Sequence, residues 1–416
     1  MLGLIIAQKS LSTYVLFMQC VTFVPTPEKR LFRVFRIDNR LLLSFHRPMT
    51  SSSVLILGIE SSCDETAAAV VADGRTILSN VVASQFDLHR PFGGVVPELA
   101  ARAHCERVTA LVDEAMTVAG ARGADLAAIS VVNRPGLVGA LLVGIAAAKA
   151  LALAWDKPLI GIDHILGHVY APVLGDSFII GVGRYPHVSL IVSGGHTSLY
   201  RVISPLNIAT LGQTCDDAAG EAFDKVAKML GLGFPGGPAL ARAAETVPDS
   251  GRRLFWGVVE SSRTHAGGAG AGAEAENPLD FSFSGLKTAV YYHLRGTTRG
   301  RGPLRVISED ERRQVAASFE EAACTIMADK ALAACRKEGI DALAVSGGVA
   351  CNTRLRQVMS ERAARERRPV DVHFPPAALC TDNAAMSAGL AYHYFASGQF
   401  SSLDLDADST PKRSKG

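Results

Sequence analysis

The sequence is poor in several features that would classify it quickly. Its eight cysteines (20, 63, 105, 215, 324, 335, 351 and 380) are scattered and form no C-x-x-C pair. That excludes a secreted disulfide scaffold and points to free thiols in a reducing compartment. Net charge is only +2, and residues 1–53 carry seven Lys and Arg against Glu28 and Asp38, so the remainder is slightly acidic. Overall charge therefore announces no nucleic-acid partner; an RNA would need a local basic patch, a partner protein, or both. The longest apolar stretch, Leu137–Trp155, is interrupted by Lys149 and crowded with Gly and Ala. It reads as a buried helix of an α/β domain, not as a membrane span. No G-x-x-x-x-G-K-[ST] segment is present, which excludes a P-loop.

What is present is an ordinary globular composition, 48% hydrophobic and 20% charged, in 416 residues. At roughly 100–200 residues per domain this length predicts two domains. Residues 1–53 stand apart: Arg-rich, without turn-and-helix punctuation, and ending in Thr50-Ser51-Ser52-Ser53. Two readings stay open, an organelle-targeting segment or an upstream extension from a wrongly assigned start, and neither gives the segment a part in the chemistry.

From Val54 the pattern is regular. Val54–Glu60 is a short apolar strand, Ser61–Glu65 a polar turn and Thr66–Ala72 a second strand, together a hairpin with an acidic tip. A helix is predicted over Glu98–Ala119 behind Pro97, then a strand Leu126–Val132, the helix after the Pro-Gly turn, a strand Pro158–Ile162 and a short helix from His164. The opening figure returns as Val188–Val192, Ser193-Gly194-Gly195-His196 and Thr197–Ile203. Two such hairpins more than a hundred residues apart predict a duplicated pair of α/β lobes with a cleft between them. Helices follow over Asp216–Leu230 and Glu309–Arg336, then strand Ala342–Val345, a helix from Asn352, strand Val370–Phe374 and a last helix from Thr381. The first lobe is assigned to 54–180 plus 375–400, the second to 181–374 with a flexible surface insertion at 265–277, and 401–416 is a polar tail.

Three constellations carry chemistry. In His164-Ile165-Leu166-Gly167-His168 two imidazoles four residues apart share one helix face, so both can reach one metal ion. A zinc protease of the H-E-x-x-H kind needs Glu where Ile165 stands, which argues against peptide hydrolysis. Glycine turns at Ser193-Gly194-Gly195, Pro235-Gly236-Gly237-Pro238 and Ser346-Gly347-Gly348 let backbone N–H groups close on a phosphate, pointing to nucleotide binding of the actin-like kind. Acids sit at turns: Asp64-Glu65 at the hairpin tip, Asp216, Asp217 and Asp224 on one helix, and Asp382 before the last helix. Asp382 reads either as a helix N-cap or as the carboxylate completing a two-His, one-carboxylate site.

Ten ordered blocks, GIESSCDETAAAV (58–70), FGGVVPELAARAH (92–104), PGLVGALLVG (135–144), DHILGH (163–168), LIVSGGHTSL (190–199), DDAAGEAFDKVAKMLGL (216–232), FPGGP (234–238), DFSFSGLKTAV (280–290), VSGGVACNTRLR (345–356) and CTDNAAM (380–386), resemble the TsaD family, formerly named Gcp or O-sialoglycoprotein endopeptidase. The resemblance implies a two-lobed actin-like ATPase fold (a duplicated RNase H-like unit). It also implies transfer of a threonylcarbamoyl group from threonylcarbamoyl-AMP to the exocyclic amine of the adenosine 3′ of the anticodon, in tRNAs reading codons that begin with A. The family's metal ligands fall on His164, His168 and Asp382, with iron the usual ion and zinc also seen. Its substrate contacts fall on Ile191, Val192, Ser193, Gly194, Gly195, Asp224, Gly237 and Asn352, and its essential acids on Asp64 and Glu65. Expected partners are tRNA with a TsaB-like paralogue and a TsaE-like ATPase in a bacterial, cytoplasmic setting, or a second copy of the chain in a mitochondrial one. No membrane is involved. Two departures stand out: Asn133-Arg134 replaces the family's small residue and glycine before Pro135, changing the loop or adding a phosphate contact, and residues 253–280 are longer and Gly/Ala-rich. The rival readings are a glycoprotein peptidase and a non-catalytic actin-like nucleotide binder.

Overall fold

The computed structural model describes residues 21–23, 33–36, 53–175, 185–264, 277–296 and 304–410. The insertion expected at 265–277 lies outside these but for Asn277, and so does nearly all of the 1–53 extension.

Two sheets share one strand order. The first contains β1 (Val21–Phe23), β2 (Arg33–Arg36), β3 (Leu55–Glu60), β4 (Glu65–Ala72), β5 (Thr76–Ser84), β6 (Leu126–Arg134) and β7 (Leu159–Asp163), arranged β1-β2-β5-β4-β3-β6-β7. The second contains β8 (His187–Val192), β9 (Thr197–Ser204), β10 (Asn207–Gln213), β11 (Ala342–Ser346) and β12 (Asp371–His373), arranged β10-β9-β8-β11-β12. In each, one strand is central (β3 in the first, β8 in the second), antiparallel to a meander on one side and parallel to later strands on the other. This repeated topology is the duplicated α/β unit expected of an actin-like fold. Sequence reading stopped the first meander at two strands; Thr76–Ser84 forms a third, and β2 pairs onto its edge.

Strands β3, β4, β6 and β7 read as nearly continuous apolar runs because both faces are covered. One face packs Leu57, Ile59, Val70 and Ile129 under α1 (Pro97–Ala119) and α2 (Val138–Trp155). The other packs Ile56, Ala69, Val71 and Ile160 under α3 (His164–Tyr170) and a helix from the far end of the chain. Around the second sheet lie α4 (Ala219–Met229), α5 (Gly236–Ala244), α6 (Trp256–Thr264), α7 (Ser284–Arg295), α8 (Glu309–Glu338) and α9 (Thr353–Ala364), with Phe223, Phe281, Phe283 and Phe319 in its core. The chain then returns to the first lobe as α10 (Ala384–Ala396).

Several expectations are corrected. Helix α2 buries only one face, through Leu141, Gly144, Ile145, Ala148 and Ala152; Val138, Leu142 and Leu153 are exposed. Asp216 and Asp217 precede α4 in a turn, where Asp217 pairs with Lys225 at 2.6 Å and Asp216 accepts from Phe283 N at 2.9 Å, so only Asp224 is helical. Part of the polar tail is structural: Leu405 packs beside β7, and Asn133 and Arg134 hold Asp406 O and Asp408 at 3.1 and 3.2 Å. Arg134 is thereby engaged within the lobe, not left to meet a phosphate.

A bare position on β3 sets how closely α10 can lie. A Cβ added at Gly58 would stand 2.5 Å from Ala384 O and 2.9 Å from Ala388 Cβ, with no flexible group to yield. Gly58→Ala is expected to destabilise the fold by about 1–3 kcal/mol or more. A shift of the urea midpoint checks this, and an unshifted midpoint would contradict the packing.

Candidate metal centre and glycine-lined cleft

Helix α3 starts directly from β7, capped by Asp163, whose carboxylate accepts from Ile165 N and Leu166 N at 2.9 and 3.3 Å. That start fixes the face of His164 and His168. Their rings stand edge to face, centroids 4.7 Å apart. Asp382 arrives on the loop between the short helix Ala377–Cys380 and α10. It is not the N-cap: Asn383 does that, accepting from Met386 N at 3.2 Å, so the neighbouring carboxylate is released to face α3. Asp382 Oδ1 lies 3.1 Å from His168 Nε2 and 3.6 Å from His164 Nε2, and the ligating atoms of the three residues all fall within 4.8 Å of one another. Two imidazoles and a carboxylate at this spacing fit a divalent transition ion with open coordination positions.

Glu60, which sequence reading passed over, completes the centre. It is fully buried at the end of β3; its Oε2 lies 2.9 Å from His164 Nδ1 and its Oε1 accepts from Ser62 N at 2.7 Å. A carboxylate behind a ligating imidazole fixes the ring and raises its basicity. The signal was the lone acid in the apolar strand Leu55–Glu60. Electrostatics agree: burial opposes charge on His164, yet Asp382 and Glu60 raise its pKa to about 9. Burial likewise opposes ionisation of Asp382, but the two imidazoles hold its carboxyl far below the usual range.

The hairpin tip faces this centre. Burial, then Asp64 and Asp382, raise the Glu65 carboxyl well above its ordinary value, favouring the proton-bearing form, and Ser84 Oγ donates to it at 3.2 Å. Across the cleft stands the turn Ser193–His196, closed by Ser193 N to His196 O at 2.8 Å. His196 was not singled out from sequence. Burial, with His164 and His168 nearby, lowers its pKa to about 4, so a neutral third imidazole borders the centre.

The glycine turns are used in two ways. Gly220 and Gly347 are packing glycines: a Cβ would meet Ser193 O at 2.7 Å and Val192 O at 2.4 Å. Gly194, Gly195, Gly237 and Gly348 have no atom within 4 Å of an added Cβ, so their bare faces are open to approach. Ile191 and Val192 are wholly buried and offer a ligand only their backbone; Ile191 instead packs on Ile165 and Val169 of α3. Asp224 accepts from Gly236 N at 2.6 Å and starts α5; the Pro-Gly-Gly-Pro turn thus begins a helix and does not follow a strand. Asn352 caps α9, accepting from Leu355 N at 2.8 Å, and donates to Glu320 at 2.8 Å, so its amide is engaged inside the lobe.

Comparison with known proteins settles the family. Residues 76–389 match the sequence profile of TsaD, tRNA N6-adenosine threonylcarbamoyltransferase. The chain belongs to the TsaD family. It is 46% identical to the tRNA N6-adenosine threonylcarbamoyltransferase of Symbiobacterium thermophilum over 86% of this chain and 96% of that one. The enzyme of the same name from Syntrophotalea carbinolica is 47% identical over 86% and 96%, and that from an Anaeromyxobacter species 47% over 85% and 98%. Among solved structures the chain is similar to HypF of T. kodakarensis (TM-score 0.49, 14% identity, 85% of this chain and 49% of that one); the fold assignment rests on the strand order above. As a TsaD-family transferase the protein forms N6-threonylcarbamoyladenosine in tRNA, which sets aside the peptidase and the non-catalytic nucleotide binder.

If the open glycines are the cleft floor, added side chains should block ligand and spare the fold. Gly194→Val and Gly237→Val are expected to weaken adenylate binding at least tenfold in calorimetry while the unfolding midpoint stays within the usual ±0.5 kcal/mol of a surface change.

Proposed function

We propose that this TsaD-family enzyme takes threonylcarbamoyl-AMP as donor and transfers its acyl group to the exocyclic amine of the adenosine 3′ of the anticodon in tRNAs reading codons that begin with A, releasing AMP. The observation carrying this reading is the convergence of His164, His168 and Asp382 within 4.8 Å beside bare glycine turns that can receive a leaving nucleotide.

The donor is already activated, so the site must orient it, stabilise charge on the attacked carbonyl and accept a proton from a weak nucleophile. His164, His168 and Asp382 would hold a divalent ion, iron by donor set and zinc as the alternative, which when bound binds the acyl part and polarises its carbonyl oxygen. Glu60 holds the His164 ring in place from behind. Backbone N–H groups of Gly194 and Gly195 and of the turn at Gly237 bind the AMP phosphate, with Asp224 fixing the latter turn through Gly236 N at 2.6 Å. Asn352 supports the cleft wall through its cap. At the tip, Glu65 keeps its proton and shapes the floor, leaving Asp64 to receive the proton lost by the amine.

The exposed apolar stripe Val138, Leu142 and Leu153 on α2 supports a protein partner, a TsaB-like paralogue with a TsaE-like ATPase, or a second copy of the chain. The unpaired thiols among the described residues support a reducing setting, the cytoplasm in this reading or the mitochondrion if residues 1–53 direct the chain there.

The test mixes purified protein, threonylcarbamoyl-AMP and an unmodified tRNA, with and without candidate partners, and measures the modified nucleoside by mass. His168→Ala is expected to lose the ion by elemental analysis and to slow transfer at least 100-fold. Glu60→Gln is expected to weaken metal binding about 10–100-fold with the fold intact. Asp64→Asn is expected to slow transfer about 100-fold or more while keeping donor affinity. Full transfer by metal-free protein would remove the metal from the proposal, and full transfer by the Asp64→Asn variant would remove the base.

A further inference from the structure

Behind the acidic tip runs a chain of buried side chains that the reaction scheme leaves unused. Val96 N–H donates to His89 Nδ1 at 3.3 Å, and His89 Nε2 lies 3.1 Å from Gln85 Oε1. Gln85 Nε2 lies 3.3 Å from His104 Nδ1, and His104 Nε2 lies 3.0 Å from the carbonyl oxygen of Cys63, the residue before Asp64. His89, Gln85 and His104 are all at most 2% exposed.

The polarity of this chain can be solved. A backbone carbonyl only accepts, so His104 Nε2 carries the proton; burial lowers the pKa of both imidazoles, so each is neutral and its other nitrogen accepts. Every link then points one way: Val96 N–H to His89, His89 Nε2–H to Gln85 Oε1, Gln85 Nε2–H to His104 Nδ1, His104 Nε2–H to Cys63 O. Thr66 Oγ1, 2.7 Å from His104 Nδ1, is the closer donor to the single lone pair there, and Gln85 Nε2, which also lies 3.4 Å from Ala100 O, shares it at longer range. Gln85 N donates to Asp64 O at 2.9 Å. The two carbonyls on either side of the Asp64 α-carbon are thus held by one network, whose links reinforce one another in a dry interior.

The network also reaches the second lobe. Phe86, next to Gln85, stacks on Phe234 across the cleft, with ring centroids 6.2 Å apart, and Phe234 precedes the Pro-Gly-Gly-Pro turn.

We propose that His104 is a positioning residue for the transfer reaction: through its one-way link to Gln85 and its bond to the Cys63 carbonyl, it fixes the backbone that aims Asp64 and Glu65 into the cleft. The inference rests on the reading of those two acids as reaction groups, and its test separates the two. In the transfer assay with full-length, metal-loaded protein, His104→Phe keeps a ring of similar volume and removes the bonds to Thr66, Gln85 and the Cys63 carbonyl. Single-turnover transfer should slow about 10–100-fold, the penalty of a misplaced reacting group. Donor affinity and metal content should stay within twofold. Amide exchange at residues 62–65 should quicken at least tenfold while residues 55–59 stay protected. His104→Gln, which restores a donor toward the Cys63 carbonyl, should recover the rate to within threefold. Nitrogen-15 spectra of the native protein should show His104 neutral with its proton on Nε2.

A His104→Phe protein with an unchanged tip in exchange, a loosened tip with native transfer rate, or a native His104 protonated on Nδ1 would each overturn the proposal. If His104→Phe does not fold, His104→Gln and Gln85→Leu carry the test, the second being expected to loosen the tip with His104 still present. Asp64→Asn and Glu65→Gln run alongside: if both transfer at full rate while His104→Phe is slow, the acids lose their role and the positioning of the tip by His104 stands.

Discussion

The site depends on one close contact, the seating of α10 on a strand with no side chain at the point of crossing. Gly58 lets the first turn of α10 lie against β3, where a methyl group would collide with Ala384 O. Gly167 in α3 gives a second close approach, a Cβ there standing 3.2 Å from Met386 Cγ. These approaches bring the loop before α10 to α3, although 214 residues separate Asp382 from His168. Once Asn383 takes the N-cap, the Asp382 carboxylate has one direction left, toward the imidazoles.

Helix α3 is also the joint between lobes. Its histidines face the centre while Ile165 and Val169 pack on Ile191 and Val202 of the second sheet. Residues Ile191 to Gly195 run straight from that contact into the open turn, so the His164–His168–Asp382 cluster and the glycine turn are registered by a few apolar contacts. The charge placed at this joint is costly to bury unless paired. Glu60 and Asp382 flank His164 and answer it, which is why so acidic a cluster is tolerated in a closely packed interior.

Much of this was legible in residue order. The i, i+4 spacing of His164 and His168 needs only helical geometry, and the repeated strand–turn–strand figure is enough to predict the duplicated sheets. What escaped depended on tertiary partners. Thr76–Ser84 mixes polar and apolar residues without clean alternation, so its strand character comes from pairing with β4. Helix α2 is apolar on every side, and periodicity cannot tell a buried helix from one with an exposed apolar face. The choice between Asp382 and Asn383 as cap turns on one residue, below the resolution of pattern reading. Glu60 carried one signal, a lone acid in an apolar strand, but its partner and that of His104 lie 104 and 41 positions away.

The duplication itself explains how two chemistries share one cleft. Each lobe turns its first strand back on itself at the same place in the fold, but the first turn, Ser61–Asp64, kept side chains, whereas the second, Ser193–His196, is half glycine. A phosphate brought to the first turn would meet the carboxylate of Asp64 and the field of Asp382; at the second it meets bare backbone, with N–H groups free to approach. In the proposed reaction, repulsion at one turn and access at the other favour the second lobe for the leaving nucleotide. In that scheme Asp64 is left for the incoming amine, which as it attacks carries growing positive charge and is stabilised by the carboxylate that would repel the phosphate.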